Sequence, residues 1–187
     1  MSHILSLAGH PTATPSSTAI LEYIHQYLGR RDINSHTLKL RCLPTEPLLH
    51  ANAEAGSMQD AAARVAQADG IIISSPVFKS SYPAVLKAYL DILPNFALRD
   101  KVILPIVTGS SAGQMLMLEY ALKPVLSTMG ANHILDGVFL TESQVQYGHG
   151  GVLHLEESAE RRIERALQEL IRETNNYSYL ANGDWVI

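Results

Sequence analysis

The sequence predicts an α/β protein in which helices cover both faces of a five-stranded parallel sheet, a doubly wound arrangement. Short apolar runs rich in β-branched residues, such as Ile71–Ile73, are typical of strands buried on both faces. A helical pattern separates each run from the next, and each intervening stretch is long enough for a right-handed crossover. A single leading βαβαβ unit in a chain of 187 residues favours the strand order 2-1-3-4-5.

The predicted strands and helices alternate along the chain. The strands are Ile4–Ala8, Ile33–Leu40, Ile71–Ile73, Val102–Val107 and His133–Leu140. The first helix ends at Gly29 with Ser16 or Ser17 as its N-cap, and the others are Met58–Ala68, Tyr82–Leu93, Gln114–Met129 and Glu156–Tyr177. We expect Pro124 to bend the fourth helix and Asp136-Gly137 to form a bulge in the fifth strand. Leu43–Gly56 and Thr141–Leu155 are predicted loops.

Composition narrows the class of protein. The chain reads as a single domain, residues 1–187, with a core over about 3–177 and a C-terminal tail at 178–187. A formal net charge of −4 without a Lys/Arg run argues against nucleic acid as a partner. No apolar stretch approaches membrane-spanning length, so no membrane partner and no export is expected.

Cysteine and histidine usage argues against a metal centre. The single cysteine, Cys42, cannot form an intramolecular disulfide, and a cytoplasmic protein is expected. With no partner motif nearby, Cys42 is predicted to be a buried apolar thiol rather than a nucleophile. His149 and His154, in a glycine-rich loop, are the remaining suggestion of metal ligands, and we expect no metal site.

Three polar loops follow predicted strands and should meet at one edge of the sheet. They are Gly9–Thr18, Pro76–Ser81 and Thr108–Gly113, after the first, third and fourth strands. In the order 2-1-3-4-5, which is the flavodoxin-like order, the winding reverses between the first and third strands. Open α/β sheets bind ligands in the crevice at this point, so the three loops predict a binding site.

The loops differ in the chemistry they offer. The first combines a helix N-terminus with polar side chains, which suits a phosphate, although an ordinary βα turn with a serine cap is the alternative. Its candidate ligands are the hydroxyl side chains of Thr12, Ser16, Ser17 and Thr18. The second loop carries Phe78, which either stacks near a flat ring or packs as a half-buried side chain. A phosphate linked to a planar heterocycle describes flavin mononucleotide, FMN.

Four segments carry a family resemblance. They are PVFKSSYPAVLK at 76–87, LPIVTGS at 104–110, EYALKPVLSTMGA at 119–131 and LDGVF at 135–139. In this order and spacing the chain resembles the NADPH-dependent FMN reductases, in particular the flavin-supplying component of two-component alkanesulfonate monooxygenases. The resemblance implies reduction of free FMN by NADPH, or by NADH in some members. It also implies a homodimer or homotetramer that passes reduced flavin to an FMNH2-dependent monooxygenase acting on organosulfonates.

The resemblance also assigns site residues. Contacts to the pyrimidine edge of the flavin fall on Pro76, Val77, Phe78 and Lys79, and those of the next loop on Thr108, Gly109 and Ser110. The phosphate loop of the family usually reads G-S-P-R, whereas this chain has Gly9-His10-Pro11-Thr12. The missing arginine removes a charge-assisted contact, which His10 can replace in part if it is protonated.

Tyr120 matches a tyrosine that, in the sulfonate-system reductases, lies in a π-bulge at the subunit interface. The resemblance implies that Tyr120 stacks near the flavin and favours its exchange as a substrate; the alternative is a tyrosine packed in a helix bend. Hydride would pass from the nicotinamide to flavin N5 without a protein acid or base. Rival readings are an FMN-retaining quinone or azo reductase, a flavodoxin-like electron carrier, and a flavin-binding module without turnover.

Overall fold

A parallel sheet forms the centre of the molecule in the computed structural model, which describes residues 2–147 and 153–181. Side chains are not described at residues 15, 16, 146, 147, 153 and 178–181. The strands of the sheet are β1 (His3–Ala8), β2 (Asn34–Lys39), β3 (Gly70–Pro76), β4 (Val102–Gly109), β5 (His133–Ile134) and β6 (Val138–Thr141). Their order is β2-β1-β3-β4, with β5 and β6 both paired in parallel to β4. The predicted fold class and the order 2-1-3-4-5 are confirmed.

Helices pack on both faces of the sheet. They are α1 (Pro15–Gly29), α2 (Thr45–Leu49), α3 (Gly56–Gln67), α4 (Ala84–Ile92), α5 (Lys123–Thr128) and α6 (Glu157–Ala181). Apolar residues of α1 and α6 form one buried cluster, and those of α3, α4 and α5 form the other. The strand β3 supplies both clusters, because Ile72 points to the first and Ile71 and Ile73 point to the second. This explains why β3 reads as a continuous apolar run.

The predicted fifth strand is two short strands rather than one strand with a bulge. Gly137, between β5 and β6, has a φ of +87°, and a Cβ there would lie 3.0 Å from the Pro105 carbonyl oxygen. The backbone therefore leaves the ladder opposite Pro105 and rejoins it at Val138. Leu135 N donates to Ile103 O at 2.9 Å, so the backbone polar groups of Ile103 point toward β5. Backbone groups of every second residue in a strand point to the same neighbour, so those of Pro105 point to the gap between β5 and β6. Pro105 is tolerated in β4 because its missing N–H faces this interruption.

Two predicted loops contain regular structure. The helix α2 lies within Leu43–Gly56. Within Thr141–Leu155, a 3₁₀ turn at Glu142–Gln144 precedes an antiparallel hairpin of β7 (Val145–Tyr147) and β8 (Leu153–Leu155). These elements are too short for sequence periodicity to reveal. Residues 148–152, which include His149, and residues 182–187 of the predicted tail lie outside the described residues; His154 is exposed.

Cys42 is exposed in a 3₁₀ turn, so the prediction of a buried thiol is wrong. The turn directs Leu40 inward to the core and leaves Cys42, two residues later, outside it. No helix among the described residues has the length and apolar content needed to cross a membrane. Within residues 2–147 and 153–181, no three histidine, cysteine, aspartate or glutamate side chains are grouped as metal ligands would be.

Candidate functional site

A cleft of about 400 Å³ opens at the carboxyl ends of β1, β3 and β4, where the winding of the sheet reverses. Nine predicted site residues line it: His10, Thr12, Ser17, Pro76, Val77, Phe78, Thr108, Gly109 and Ser110. The three loops that carry them are adjacent because their strands pair in parallel and end together, with Ala8 opposite Ser74 and Pro76 opposite Thr108. This volume is in the range of small-molecule sites.

One end of the cleft, which we call the phosphate end, is built on the N-terminus of α1. Thr14, and not Ser16 or Ser17 as predicted, is the N-cap, and its Oγ1 accepts a hydrogen bond from Ser17 N at 3.2 Å. The Ser17 hydroxyl is buried and donates to Thr14 O at 3.1 Å. Pro15 occupies the first helical position, which explains why the helix begins earlier than the serines suggest. Side chains and helix dipole thus favour an anion here.

His10 is the unusual side chain of the phosphate end. It is only 4 % exposed, and neither ring nitrogen has a hydrogen-bond partner. Burial and, secondarily, the nearby charge of Arg41 lower the pKa of His10 from 6.5 to about 4. The imidazole is therefore neutral near pH 7, so the protonated form in which His10 could replace part of the missing arginine contact is not favoured in this environment. A buried polar group without a partner is costly, so a ligand that hydrogen-bonds His10 removes that cost.

The other end, which we call the ring end, is bounded by the loop after β3. Val77 N donates to Thr108 O at 2.8 Å, which joins the loops after β3 and β4. Phe78 and Ser81 exchange backbone hydrogen bonds of 2.7 and 3.0 Å across a tight turn. Both central residues, Lys79 and Ser80, have positive φ values, 50° and 62°, as in a type I′ turn. The turn presents Phe78, which is 51 % exposed, at the mouth of the cleft.

The loop after β4 completes the ring end. Gln114 Oε1 accepts a hydrogen bond from Ser110 N at 2.9 Å and so holds the loop closed on itself. Gly109 lies under this contact, and a Cβ there would be 2.5 Å from Gln114 Oε1. A glycine is therefore required for the close approach of the Gln114 side chain to the backbone.

Two predicted flavin-binding residues, Thr18 and Lys79, do not line the cleft. Thr18 lies one residue beyond Ser17 on α1 and faces a neighbouring groove instead. Lys79 is exposed at the tip of the turn, where its φ is 50°. The side chain of Ser16 lies outside the described residues.

Five lining residues were not predicted: Pro11, Thr14, Gln114, Glu142 and Val145. Pro11 and Thr14 belong to a loop that the sequence singled out, and Thr14-Pro15 carries a cap-and-proline signal. Gln114, Glu142 and Val145 carry no comparable signal. They reach the cleft through the closing of the loop after β4 and through the turn that follows β6.

Tyr120 lies on a π-helix, Leu118–Leu122, outside the lining of the cleft. The predicted continuous helix Gln114–Met129 is instead a 3₁₀ turn, this π-helix and α5. Lys123 N donates to Leu118 O, five residues back, whereas Pro124 has no N–H to offer Tyr120 O in an α-helical bond. Tyr120 is 79 % exposed, and its role in flavin exchange stays a prediction.

The strand order and the cleft define a class, the flavodoxin-like proteins that bind a mononucleotide at the carboxyl edge of the sheet. Residues 2–146 match the family model of the NADPH-dependent FMN reductases, and the chain belongs to that family. Membership makes the protein an oxidoreductase of the flavin reductase class, and it confirms the family resemblance seen in the sequence.

Relatives agree with this assignment. The chain is similar to an FMN reductase (NADPH) of Pseudomonas putida, at 41 % identity over 88 % of this chain and 84 % of the relative. It is also similar to an FMN reductase (NADPH) of Escherichia coli, at 40 % identity over 78 % and 77 % of the two chains. Among solved structures, the apo form of an NADH:FMN oxidoreductase (EMOB) superposes with a TM-score of 0.80 at 32 % identity, covering 91 % of this chain and 88 % of that one.

The residues of the cleft fit FMN. His10 offers unpaired ring nitrogens beside the N-terminus of α1, as a phosphate site requires. Phe78 supplies an aromatic surface next to backbone groups of Val77 and Gly109, as an isoalloxazine ring requires. The family uses NADPH as reductant, and the EMOB structure is named for NADH.

Proposed function

We propose that this protein binds FMN as an exchangeable substrate, reduces it with NADPH or NADH, and supplies the reduced flavin to a partner monooxygenase of organosulfonate metabolism in the cytoplasm. The main support for exchange of FMN is that the ring end of the cleft is open. Phe78 is half exposed, and Ser110 and Glu142 lie at the surface. An open ring end supports release of the flavin after each turnover, because less apolar surface of the ring is removed from water there.

The two ends of the cleft have separate tasks in this proposal. FMN, when bound, supplies the hydride-accepting chemistry, with the reduced nicotinamide as the donor. The phosphate end holds the ligand through His10, the Thr14-Ser17 cap and the dipole of α1. The ring end orients the flat ring between Phe78 and the loop after β4. No described side chain needs to act as an acid or base, because the protein contributes alignment.

An oligomer is part of the proposal. Met115, Leu116 and Tyr120 are 52 %, 56 % and 79 % exposed on consecutive turns of one surface. Large apolar side chains grouped on a surface are typical of protein interfaces. We propose that this surface pairs with a second copy in a homodimer or homotetramer and that Tyr120 then lies near the flavin of the partner subunit.

The first experiment measures nicotinamide oxidation by the purified protein with and without added FMN, together with its visible spectrum. Turnover that requires and saturates with free FMN in a nearly colourless protein supports the proposal. A yellow protein that ignores added FMN but reduces quinones or azo dyes identifies a flavin-retaining reductase. A protein that binds flavin without turning over with either acceptor is a carrier or a binding module.

The partner is tested in a coupled assay. The protein, NADPH, FMN and an FMNH2-dependent alkanesulfonate monooxygenase are combined with an alkanesulfonate, and sulfite is measured. Sulfite release that depends on this protein supports the sulfonate role. Efficient FMN reduction without sulfite release above that given by chemically reduced flavin contradicts this role and leaves the reductase activity standing.

Tyr120→Ala tests the interface. We expect the variant to hold flavin more tightly, to purify yellow and to turn over free FMN more slowly. The matched control is Tyr177→Ala, because Tyr177 is also a tyrosine but lies on α6, where its ring packs beside that of His133. Sedimentation of both variants reports the oligomeric state. A colourless Tyr120→Ala protein with unchanged turnover removes Tyr120 from the proposal.

A further inference from the structure

A second groove, between α1 and β2, adjoins the phosphate end of the cleft. Ser17 lines both the cleft and this groove, so the two meet at that side chain. Two cations, Lys39 and Arg41, border the groove, against one carboxylate, Glu22. Positive charge is therefore concentrated next to the anion-binding end of the cleft.

The register of the sheet places Arg41 beside His10. The strands β1 and β2 pair in parallel, and their last paired residues are Ala8 and Lys39. His10 and Arg41 each lie two residues further on, so both leave the sheet at the same edge. Leu40, between Lys39 and Arg41, is completely buried and anchors the turn that carries Arg41.

The guanidinium of Arg41 is available to bind a ligand. Within residues 2–147 and 153–181, no hydrogen bond and no ion pair is formed by Arg41, although its side chain is half-buried. Arg161 pairs with Glu157, and Arg162 donates to Phe139 O at 2.9 Å. Arg64 and Arg165 also lack such partners among the described residues, but unlike Arg41 they are exposed. A half-buried cation without a partner is suited to an anionic ligand.

His10 provides independent support. His10 lines the cleft, its two ring nitrogens are buried and unpaired, and the charge of Arg41 contributes to lowering the pKa of this histidine. The guanidinium is thus close enough to His10 to act on it electrostatically. An anion that accepts a hydrogen bond from His10 lies within the field of the same cation.

We infer that Arg41 is the cationic partner of the flavin phosphate, reaching it across the edge of the sheet from β2, and that it selects phosphorylated flavin over riboflavin. This inference rests on the proposed function, because it assumes that the cleft binds FMN. In this arrangement His10 and the N-terminus of α1 form hydrogen bonds with the phosphate. Arg41 neutralises the charge of the phosphate. A guanidinium group can donate two parallel hydrogen bonds to phosphate oxygens, whereas the ammonium group of lysine acts as a point charge.

The experiment is a titration of the purified chain with FMN and with riboflavin, followed by quenching of flavin fluorescence. We expect Arg41→Ala to weaken FMN binding by roughly tenfold to a hundredfold, as for the loss of a hydrogen bond to a charged group, and to leave riboflavin binding unchanged. Arg41→Lys should restore part of the FMN affinity. Arg64→Ala, a change at an exposed arginine on α3, is the matched control and should bind both flavins as the unaltered protein does.

Ionic strength gives a second readout. The FMN affinity of the unaltered protein should fall as salt rises, and that of Arg41→Ala should fall less, because a charge interaction is screened. A purely structural role for Arg41 predicts equal losses for FMN and riboflavin and an unchanged salt dependence.

Three results overturn the inference. They are FMN affinity retained in Arg41→Ala, equal losses for both flavins, and a raised KM for NADPH with FMN binding unchanged, which would assign Arg41 to the nicotinamide cofactor. In each of these cases the unaltered protein still binds and reduces FMN, so the proposed function stands. An unaltered protein that binds no flavin overturns the proposed function and this inference with it.

Discussion

The two ends of the cleft are built differently. At the phosphate end, His10 and Ser17 are 4 % and 3 % exposed, and the hydrogen bonds of Thr14 hold the start of α1. At the ring end, Phe78 is half exposed, and the loops are held by backbone contacts such as Val77 N to Thr108 O. The phosphate end thus contains buried polar side chains, although Thr12 and Thr14 there are exposed, whereas the ring end is open and is held by backbone contacts together with the Gln114 side chain.

This difference suggests how one cleft can both select and release its ligand. Buried, pre-positioned polar groups discriminate strongly, because a ligand that fails to pair with them leaves them without partners. An open aromatic surface contributes stacking energy with little selectivity and is easily vacated. Selection then belongs to the phosphate end and exchange to the ring end, a division that four substitutions can test.

The largest effect is expected at Gly109, at the base of the ring end. In Gly109→Ala the new Cβ would lie 2.5 Å from Gln114 Oε1 and 2.9 Å from Phe139 Cζ, so Gln114 must release Ser110 N. We expect a loss of about 1–3 kcal/mol in the free energy of unfolding, as for other overpacked sites, measured by urea denaturation. Gly113→Ala is the control, since nothing lies within 4 Å of a Cβ there. Equal stability of the two variants would show that the ring end is more plastic than its contacts indicate.

The second prediction concerns pH and the buried His10. Its pKa is about 4 in the folded protein and 6.5 in the reference state, so between these values the unfolded chain binds a proton that the folded chain does not. Stability is therefore complete above pH 6.5 and is lost as the pH falls toward 4. From pH 7 to pH 5 the contribution of His10 amounts to about 2 kcal/mol.

The test compares urea denaturation at both pH values for the unaltered protein, His10→Gln and His50→Gln. His10→Gln should lose less stability on acidification, whereas His50→Gln, altered at an exposed histidine, should behave as the unaltered protein does. The same acid sensitivity in all three proteins would mean that His10 is not buried in its neutral form.

The third prediction tests the cap at the phosphate end. Thr14→Ala removes the oxygen that accepts Ser17 N, and it should lower the free energy of unfolding by about 1 kcal/mol. FMN binding should weaken as well, because Thr14 also lines the cleft. Thr14→Ser, which keeps the oxygen, is the control in denaturation and flavin titration. A Thr14→Ala protein as stable as Thr14→Ser would contradict the role of this cap.

The smallest effect on stability is expected at Phe78. As a surface change, Phe78→Ala should alter the free energy of unfolding by less than about 0.5 kcal/mol. Binding of FMN and riboflavin should weaken alike, by roughly twofold to tenfold, the range of an aromatic pair contact. Phe96→Ala is the control, because Phe96 is 54 % exposed and lies outside the cleft. A loss confined to FMN would place Phe78 at the phosphate end and remove the contrast between the two ends.

The sequence determined the architecture and most of the cleft by itself. Strand order and the meeting of the three loops follow from apolar runs and from polar loops at strand ends, because parallel strands bring the loops that follow them together. Most of the nine predicted residues that line the cleft are assigned by the family resemblance of the sequence. The sequence also indicates the phosphate end, although its serines predict an N-cap at Ser16 or Ser17 where the structure has Thr14. Thr14-Pro15 carries a stronger start signal than the serines, because proline is favoured at the first helical position.

Only the tertiary structure decided what depends on close contact between distant segments. The neutral state of His10 follows from its burial beside Arg41, which is 31 residues away in the chain and was not singled out in the sequence. Gln114 and Glu142 enter the cleft because loops fold over it, and β5 and β6 separate where Gly137 approaches Pro105. Local periodicity records which face of an element is buried, whereas burial of a polar group, its charge and its partners are set by neighbours that the chain brings together only on folding.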